Sequence, residues 1–309
     1  MGGWTQAWET WWAHGDWPPM SLGWRDWPST DGPLLPCTWE IAVFVACCYA
    51  IVRGRSMRPP FDPLPPHDVP PEAVVRGRRV SDRQLAAFRA FAAAIVFANA
   101  YAIFFKGDPN AHTPGEPSLT GQSSIKTYSF LSWLAIGLYF VSTFAASVAF
   151  LAGFGAPPPW LASTLWIASG TLTAIALYVT TAVWFILAPA MFFFQSWATL
   201  ASFFKPTALI LHDFNVLLLL GELLLTGPAY RPTMAVCPVA LLCGFVYWAF
   251  AVWWHGRTDE WIYFLFDWSI PFIVLKYAFL TAKTILCSWL AVKCGECIHG
   301  LPSKSVQMI

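Results

Sequence analysis

Six polar side chains stand near the ends of apolar runs, where their chemical types could support catalysis in a membrane. They are Ser132, His212, Asp213, Asn215, His255 and Asp267. A hydroxyl and an imidazole can act as nucleophile and general base when they lie within about 3 Å of each other. We therefore predict Ser132 and His212 as a catalytic pair, with the other four residues and Glu222, ten positions beyond His212, as a supporting polar cluster.

The positions of Ser132 and His212 along the chain predict a similar depth for both. The runs at 128–152 and 207–226 enter from the same side if the chain crosses the membrane at each apolar run. His212 and Asn215 share one helical face, so Asn215 could orient a substrate carbonyl or the imidazole ring. Two structural alternatives stay open: Ser132 donates to a carbonyl of its own helix, and His212 is a packing residue.

Glu222 is a further ionisable residue within an apolar run, ten positions beyond His212. At the rise of an α-helix it lies about 15 Å deeper. We expect such a carboxylate to be protonated, to face a polar cavity or to pair with a cation, and Lys276 is one candidate partner. Glu222 and Lys276 together motivate a transporter hypothesis.

A CxxCxH stretch, Cys294 to His299, follows the last apolar run. A zinc site needs a fourth ligand, and no second Cys pair follows in the sequence. Cysteines beside a membrane span accept palmitate, so we predict palmitoylation of Cys294 and Cys297, or no role, in preference to a metal site. The sequence predicts neither a metal ion nor another cofactor.

The composition identifies the elements that must position these residues. Of the 309 residues 57% are hydrophobic and 11% are charged, whereas about 25% are charged in soluble domains. No charged residue occurs between Lys126 and Lys205, a stretch far longer than the roughly 20 apolar residues of one span. The chain must therefore fold back within lipid. A net charge of +1 gives no indication of nucleic-acid binding, and membrane lipids are the expected partners.

Seven apolar runs predict the spans, at about 39–53, 86–105, 128–152, 160–188, 207–226, 233–254 and 268–292. We predict an all-α, multi-pass transmembrane helix bundle of about seven spans, with roughly six to eight as the range; the first run is short for a span. The expected segments are a Trp-rich interfacial or disordered segment (1–36), a first apolar span (37–53), an Arg- and Pro-rich loop (54–85), the main bundle (86–292) and a tail (293–309).

The distribution of basic residues predicts the orientation. The loop 54–85 carries six arginines, and loops of this kind remain in the cytoplasm. The N-terminus is then outside or lumenal, and after seven spans the C-terminal tail is cytoplasmic. We predict an integral protein of the plasma membrane or of an endomembrane.

Several motifs resemble those of known membrane proteins. Phe130–Trp133 resembles the Phe-Leu-Thr segment of the androgen-induced membrane protein family, and His212–Asn215, followed by Glu222, resembles the second polar helix of that family. Phe245–Trp248 and Trp261–Trp268 are similar to segments of the rolling stone type of membrane protein. The order and spacing of the motifs carry the resemblance, which implies a multi-pass helical fold.

The resemblance covers about residues 86–290 and has functional implications. For the androgen-induced branch it implies intramembrane hydrolysis of fatty-acid esters of hydroxy fatty acids, with a Thr nucleophile and a His. These roles fall on Ser132, where Ser replaces Thr, and on His212. For the rolling stone branch it implies cell-surface action in membrane fusion during muscle development.

Three functions therefore compete at the level of sequence. The first is a lipid-ester hydrolase that acts through an acyl intermediate on Ser132. The second is a non-catalytic adhesion, fusion or scaffold protein, suggested by the Arg- and Pro-rich loop and the Trp-rich N-terminal segment. The third is a transporter based on Glu222 and Lys276. The sequence leaves open whether the protein is an enzyme.

Overall fold

The computed structural model describes residues 34–54, 69–106, 121–189, 204–258, 262–263, 266 and 273–300. Within these ranges the chain forms seven main helices: α1 (Leu34–Gly54), α2 (Asp82–Tyr101), α3 (Tyr128–Leu151), α4 (Pro159–Ala182), α5 (Pro206–Leu225), α6 (Val236–Thr258) and α7 (Ile273–His299). Nearly all of the predicted Trp-rich segment, part of the Arg- and Pro-rich loop and most of the predicted tail lie outside the described residues.

Six of these helices, α2 to α7, are long and apolar enough to cross a membrane. α1 coincides with the predicted first run, but its apolar stretch, Thr38–Ala50, is shorter than the other six. The protein is thus an all-α, multi-pass membrane helix bundle of about seven spans, and this prediction from the sequence is confirmed.

Large apolar side chains cover the outside of the bundle. Phe91, Leu138, Val246 and Leu275 lie on four different helices and are between 60% and 67% exposed. A soluble protein rarely exposes apolar patches that extend over its whole circumference. These faces of the helices are therefore the ones that contact lipid chains.

Capping side chains determine where α2 and α3 begin. Ser81 and Gln84 form a capping box, in which each side chain binds the backbone N–H of the other. The Thr127 hydroxyl accepts a hydrogen bond from the backbone N–H of Phe130 at 3.3 Å. α2 therefore begins at Asp82, four residues before the predicted start of the run at about 86. Arg89 lies about two turns into the helix and is buried in the bundle.

Contacts of α2 fix the directions of α3 and α5. Asn99, near the end of α2, donates to a backbone carbonyl at the start of α5 at 3.4 Å, whereas Arg89, near the start of α2, contacts Glu222 near the end of α5. Arg89 also reaches Ser147 near the end of α3, whose first half packs against Val96. α3 and α5 are both antiparallel to α2, so they are parallel to each other.

The two ends of the bundle differ in regularity. The end at which α2 begins carries Arg76, Arg78 and Arg79, and we call it the arginine end. At the other end, which we call the opposite end, the described residues include three segments of π-helix: Ala102–Lys106 after α2, Val183–Leu187 after α4 and Ile210–Phe214 within α5. π-helical turns are rare in proteins as a whole, and those that occur are often at functional sites.

α4 lies at the centre and contacts α3, α5, α6 and α7. The middle of α4 approaches the start of α6 and the segment before it so closely that a Cβ on Gly170 would lie 2.7 Å from Val236 Cγ1 and 2.9 Å from Pro232 Cβ. α7 approaches the same segment at Gly295, where a Cβ would lie 2.9 Å from Pro232 Cδ. Glycine at both positions permits this packing, so the arginine end is closely packed.

Candidate functional site

Ser132 lies four residues into α3 and is 6% exposed. Its hydroxyl donates to the carbonyl oxygen of Ser129, in the preceding turn of the same helix, at 2.9 Å. This bond is the structural alternative that the sequence left open, and it satisfies the hydroxyl without a base. The role of Ser132 as a nucleophile stays a prediction.

The segment that holds His212, Asp213 and Asn215 is bound to α4. The Thr180 hydroxyl donates to the His212 carbonyl oxygen and contacts Asn215 Oδ1 at 3.2 Å. Trp184 Nε1 donates to Asp213 Oδ1 at 2.6 Å. The polar side chains of this segment therefore join α5 to α4, and the role of His212 as a general base stays a prediction.

The remaining members of the predicted cluster lie at the same end. Ser132 is four residues and His212 six residues from the start of two parallel helices, α3 and α5. His255 is half-buried in the last turn of α6. Asp267 lies outside the described residues.

Glu222 is paired with Arg89 of α2 and not with Lys276. Arg89 Nε lies 3.0 Å and Nη2 lies 2.5 Å from Glu222 Oε1, and both side chains are 0% exposed. Lys276 as the partner is wrong because it lies in the first turn of α7, at the opposite end, whereas Glu222 lies in the last turn of α5, at the arginine end.

Further hydrogen bonds complete the surroundings of this ion pair. Arg89 Nη1 donates to Ser147 Oγ at 2.6 Å, and the Tyr139 hydroxyl donates to Glu222 Oε1 at 3.2 Å. The Tyr139 and Tyr230 hydroxyls are 3.1 Å apart, and Tyr230 donates to a backbone carbonyl of α4 at 3.0 Å. Both charges therefore have partners, and the network connects α2, α3, α4 and α5.

A cavity of about 120 Å³ lies between α1, α4, α6 and α7, toward the opposite end, and the first turn of α3 also lines it. Aromatic rings dominate its lining: Tyr128, Tyr178, Phe245, Tyr247, Trp248, Tyr263 and Phe266. Ser129, Thr281 and Thr284 add hydroxyl groups. A concave, largely apolar site with a few polar groups is typical of a small-molecule site.

Glu40 of α1 brings a carboxylate to this cavity and is only 9% exposed. In the part of the chain that the structure describes, Glu40 has neither a hydrogen bond nor an ion pair. Lys283 of α7 donates instead to the Tyr178 carbonyl at 3.1 Å. An unpaired buried carboxylate is unfavourable by several kcal/mol, so Glu40 is the group whose surroundings are incomplete.

The aromatic wall of the cavity is held in place by its own hydrogen bonds. The Tyr247 hydroxyl donates to the Lys126 carbonyl at 2.8 Å, and Trp248 Nε1 donates to the Tyr277 hydroxyl at 3.0 Å. The rings of Tyr247 and Tyr128 pack with centroids 4.9 Å apart. These polar atoms are therefore occupied, and the rings offer mainly their π-faces and apolar edges to the cavity.

Cys294 and Cys297 lie in the last two turns of α7, at the arginine end. Cys294 is half-buried, Cys297 is exposed, and neither forms a disulfide. Exposure of Cys297 agrees with access for an acyl group, and palmitoylation of both stays a prediction.

Sequence reasoning missed Glu40 and Arg89 as functional or structural charges. Glu40 is the single acidic residue in the run 39–53, and an ionisable residue in an apolar span is a signal in itself. For Arg89 the signal is the sequence Ser81-x-x-Gln84, a capping box whose first residue lies eight residues earlier.

Comparisons of the chain with protein-family models, curated proteins and solved structures gave no match. The resemblance to the androgen-induced and rolling stone proteins therefore stays a prediction. The conclusion that the geometry supports is that the chain is a multi-pass integral membrane protein, with an aromatic cavity lined by a carboxylate that has no partner among the described residues.

Proposed function

We propose that the protein binds a small organic cation, such as a substituted ammonium ion, in the cavity between α1, α4, α6 and α7. The observation that carries this proposal is Glu40, a buried carboxylate that faces the cavity and has no partner among the described residues. A positively charged ligand would supply the missing partner of this carboxylate.

The negative charge of Glu40 is the reason that we propose a positively charged ligand. Two opposite charges about 4 Å apart attract each other by about 4 kcal/mol at an effective dielectric constant near 20. Arg89 provides this attraction to Glu222 from within the chain. At Glu40 the ammonium group of a ligand would take the same part.

The aromatic lining supports an organic cation rather than a metal ion. A cation over the face of a Trp or Tyr ring gains about 0.5–2 kcal/mol. Lys283 already places its ammonium nitrogen 4.4 Å from the centroid of the Tyr178 ring. One of the seven rings of the lining thus binds an ammonium group in this structure.

The volume of the cavity limits the size of the ligand. A cavity of about 150 Å³ holds one benzene molecule, and this one measures about 120 Å³. Because the cavity is only partly enclosed, a ligand of roughly five to eight non-hydrogen atoms can be held with part of it outside this volume. Choline fits this class and serves as the probe.

Calorimetric titration of the full chain in lipid nanodiscs tests the proposal. Choline is compared with 3,3-dimethylbutan-1-ol, which has the same shape and no charge. We expect choline to bind at least tenfold more tightly, because a tenfold difference needs only about 1.4 kcal/mol of charge attraction. Glu40→Gln should reduce choline affinity by at least the same factor.

Two further variants serve as controls. Glu72→Gln removes an exposed carboxylate that pairs with Arg76 at the arginine end, and it should leave choline affinity unchanged. Phe245→Leu keeps an apolar side chain and should weaken binding by roughly two- to fivefold through the lost ring. Equal affinity for the two compounds, or an unchanged affinity in Glu40→Gln, would contradict cation binding.

The other functions have less support from the described residues. The transporter hypothesis is based on Glu222 and Lys276, and Arg89 already balances the charge of Glu222. A hydrolase needs a cavity beside Ser132 and His212, and neither residue lines the cavity described above. Adhesion or scaffolding is based on segments that lie largely outside the described residues.

A further inference from the structure

Three arginines meet at the arginine end, beside the last turn of α7. Arg78 Nη1 lies 3.4 Å from His299 Nδ1, and Arg79 Nη2 donates to the Ile298 carbonyl oxygen at 3.0 Å. Arg231 approaches from the segment between α5 and α6. We call Arg78, Arg79 and Arg231 the arginine cluster.

The position of Arg231 follows from the packing of α7. A Cβ on Gly295 would lie 3.5 Å from Arg231 Cβ, and His299 follows Gly295 by four residues on the same helical face. All three arginines of the cluster act electrostatically on the His299 ring. The three guanidinium groups thus all lie within electrostatic range of one side chain.

The arginine cluster has no acidic partner in the described part of the chain. No carboxylate oxygen there lies within 4.0 Å of its nitrogen atoms. The acidic side chains nearest in sequence have other partners: Glu72 pairs with Arg76, Asp82 accepts from the Gly77 N–H, and Glu296 pairs with Lys293. Three positive charges therefore stand together without an acidic partner among the residues that the structure describes.

His299 adds a buried donor to the cluster. It is 6% exposed, and its Nε2 has no hydrogen-bond partner among the described residues. Arginine can only donate, so Nδ1 accepts the bond from Arg78 and the proton of the neutral ring is on Nε2. An N–H donor that is buried without an acceptor is unfavourable by about 1–3 kcal/mol.

We propose that the arginine cluster and His299 form a binding site for a phosphate group, and that the phosphate belongs to the headgroup of an anionic membrane lipid. Guanidinium groups bind phosphate oxygens in pairs, which distinguishes this ligand from a single weak anion. The site lies where α7 ends at the membrane edge, so a lipid headgroup reaches it without leaving the bilayer.

A structural role alone explains only part of the cluster. Arg79 satisfies a carbonyl at the C-terminus of α7, which is a usual function of a basic residue there. The backbone of Arg231 is held by Trp166 Nε1, which donates to its carbonyl oxygen at 3.0 Å. Within the described ranges its guanidinium group has no such bond. Arg231 is therefore the residue that separates lipid binding from helix capping.

The test is binding of the full chain to phosphatidylinositol 4,5-bisphosphate. The protein is placed in phosphatidylcholine nanodiscs with and without this lipid, and bound lipid is counted by native mass spectrometry. We expect Arg231→Gln to reduce the bound fraction at least fivefold. Arg83→Gln removes the same charge from an exposed position on α2 outside the cluster, and it should leave binding unchanged.

Further measurements distinguish a lipid phosphate from a free phosphate ion, and a loss of binding from a loss of folding. Displacement of the lipid by low-millimolar inorganic phosphate would show that a free anion occupies the site and would overturn the lipid assignment. Equal losses in Arg231→Gln and Arg83→Gln would show unspecific attraction and overturn the site. If Arg231→Gln unfolds, Arg231→Lys retains the charge without the fork, and unchanged binding in it would contradict recognition by paired hydrogen bonds.

Discussion

Glu222 and Glu40 are two buried glutamates of one bundle with opposite surroundings. Glu222 is 0% exposed and is contacted by Arg89 at 2.5 Å and by Tyr139 at 3.2 Å. Glu40 is 9% exposed and faces a cavity of about 120 Å³. The first carboxylate has all its partners within the chain, and the second has none among the described residues.

Packing also differs between the two regions: it is dense near the arginine end and open beside the cavity. Near the arginine end a Cβ on Gly170 would overlap Val236, whereas a Cβ on Gly244, beside the cavity, has no atom within 4 Å. Burial by itself therefore does not identify a functional charge. A buried charge with partners and dense packing indicates a structural role, and a buried charge beside open space indicates a ligand.

The largest expected effect comes from the same substitution at both glutamates. Glu222→Gln leaves Arg89 as an unpaired buried charge, and we expect a loss of about 3–5 kcal/mol in the free energy of unfolding. Glu40→Gln removes an unpaired charge, so the stability of the empty protein should stay the same or rise. Thermal unfolding in detergent micelles measures both.

A double variant controls for the size of the side chains. Arg89→Met combined with Glu222→Met removes both charges together and should recover most of the loss. Equal losses for Glu222→Gln and Glu40→Gln would remove the distinction between a structural and a ligand-binding carboxylate.

Removal of one hydroxyl from the ion-pair network should have the next largest effect. Tyr139→Phe deletes the donor to Glu222 and the contact with Tyr230, and we expect a loss of about 1.5–3 kcal/mol. Tyr101→Phe, at an exposed position on α2, is the matched control and should change stability by less than about 0.5 kcal/mol. Similar shifts of the melting temperature would show that the network contributes nothing.

A Gly→Ala substitution should change the stability in opposite directions at Gly170 and at Gly244. Gly170→Ala forces Val236 and Pro232 to move and should destabilise the protein by about 1–3 kcal/mol. Gly244→Ala enters open space within α6 and should stabilise by up to about 1 kcal/mol through helix propensity. A loss at Gly244 as large as at Gly170 would contradict the contrast in packing.

Ser132→Ala should have the smallest effect on stability, below about 0.5 kcal/mol, because the hydroxyl bonds only to its own helix. The same variant tests the predicted hydrolase. A fluorophosphonate probe that labels the native protein and not Ser132→Ala would support a nucleophilic serine. Labelling that persists in Ser132→Ala would exclude Ser132 as the nucleophile.

Much of the fold could be predicted from apolar content. Each predicted run coincides with a helix, since a span needs about 20 apolar residues and such runs are visible without any contact information. The partner of Glu222 could not be found in this way. Lys276 and Arg89 are both basic residues near apolar runs, and only the positions of α2 and α7 along the bundle decide between them.

The candidate site was less accessible to prediction from sequence. His212 and Ser132 stand out because of their types, yet the cavity is formed by α1, α4, α6 and α7, which are far apart in the chain. A segment rich in aromatic residues, such as the one with Tyr247 and Trp248, looks the same in sequence whether it forms a lipid-facing belt or a cavity wall. Only the contacts between helices separate these two roles.

The separation of Arg89 and Glu222 in the chain has a consequence for biosynthesis. The two residues are 133 positions apart, so at about 5–20 residues per second Arg89 is made roughly 7–27 s before its partner. An arginine within a span disfavours insertion by about 2.5–3.5 kcal/mol. In α2, Arg89 therefore lacks its ion-pair partner in the membrane until α5 is translated. A nascent chain that stops before α5 should expose this charge and be selected for degradation.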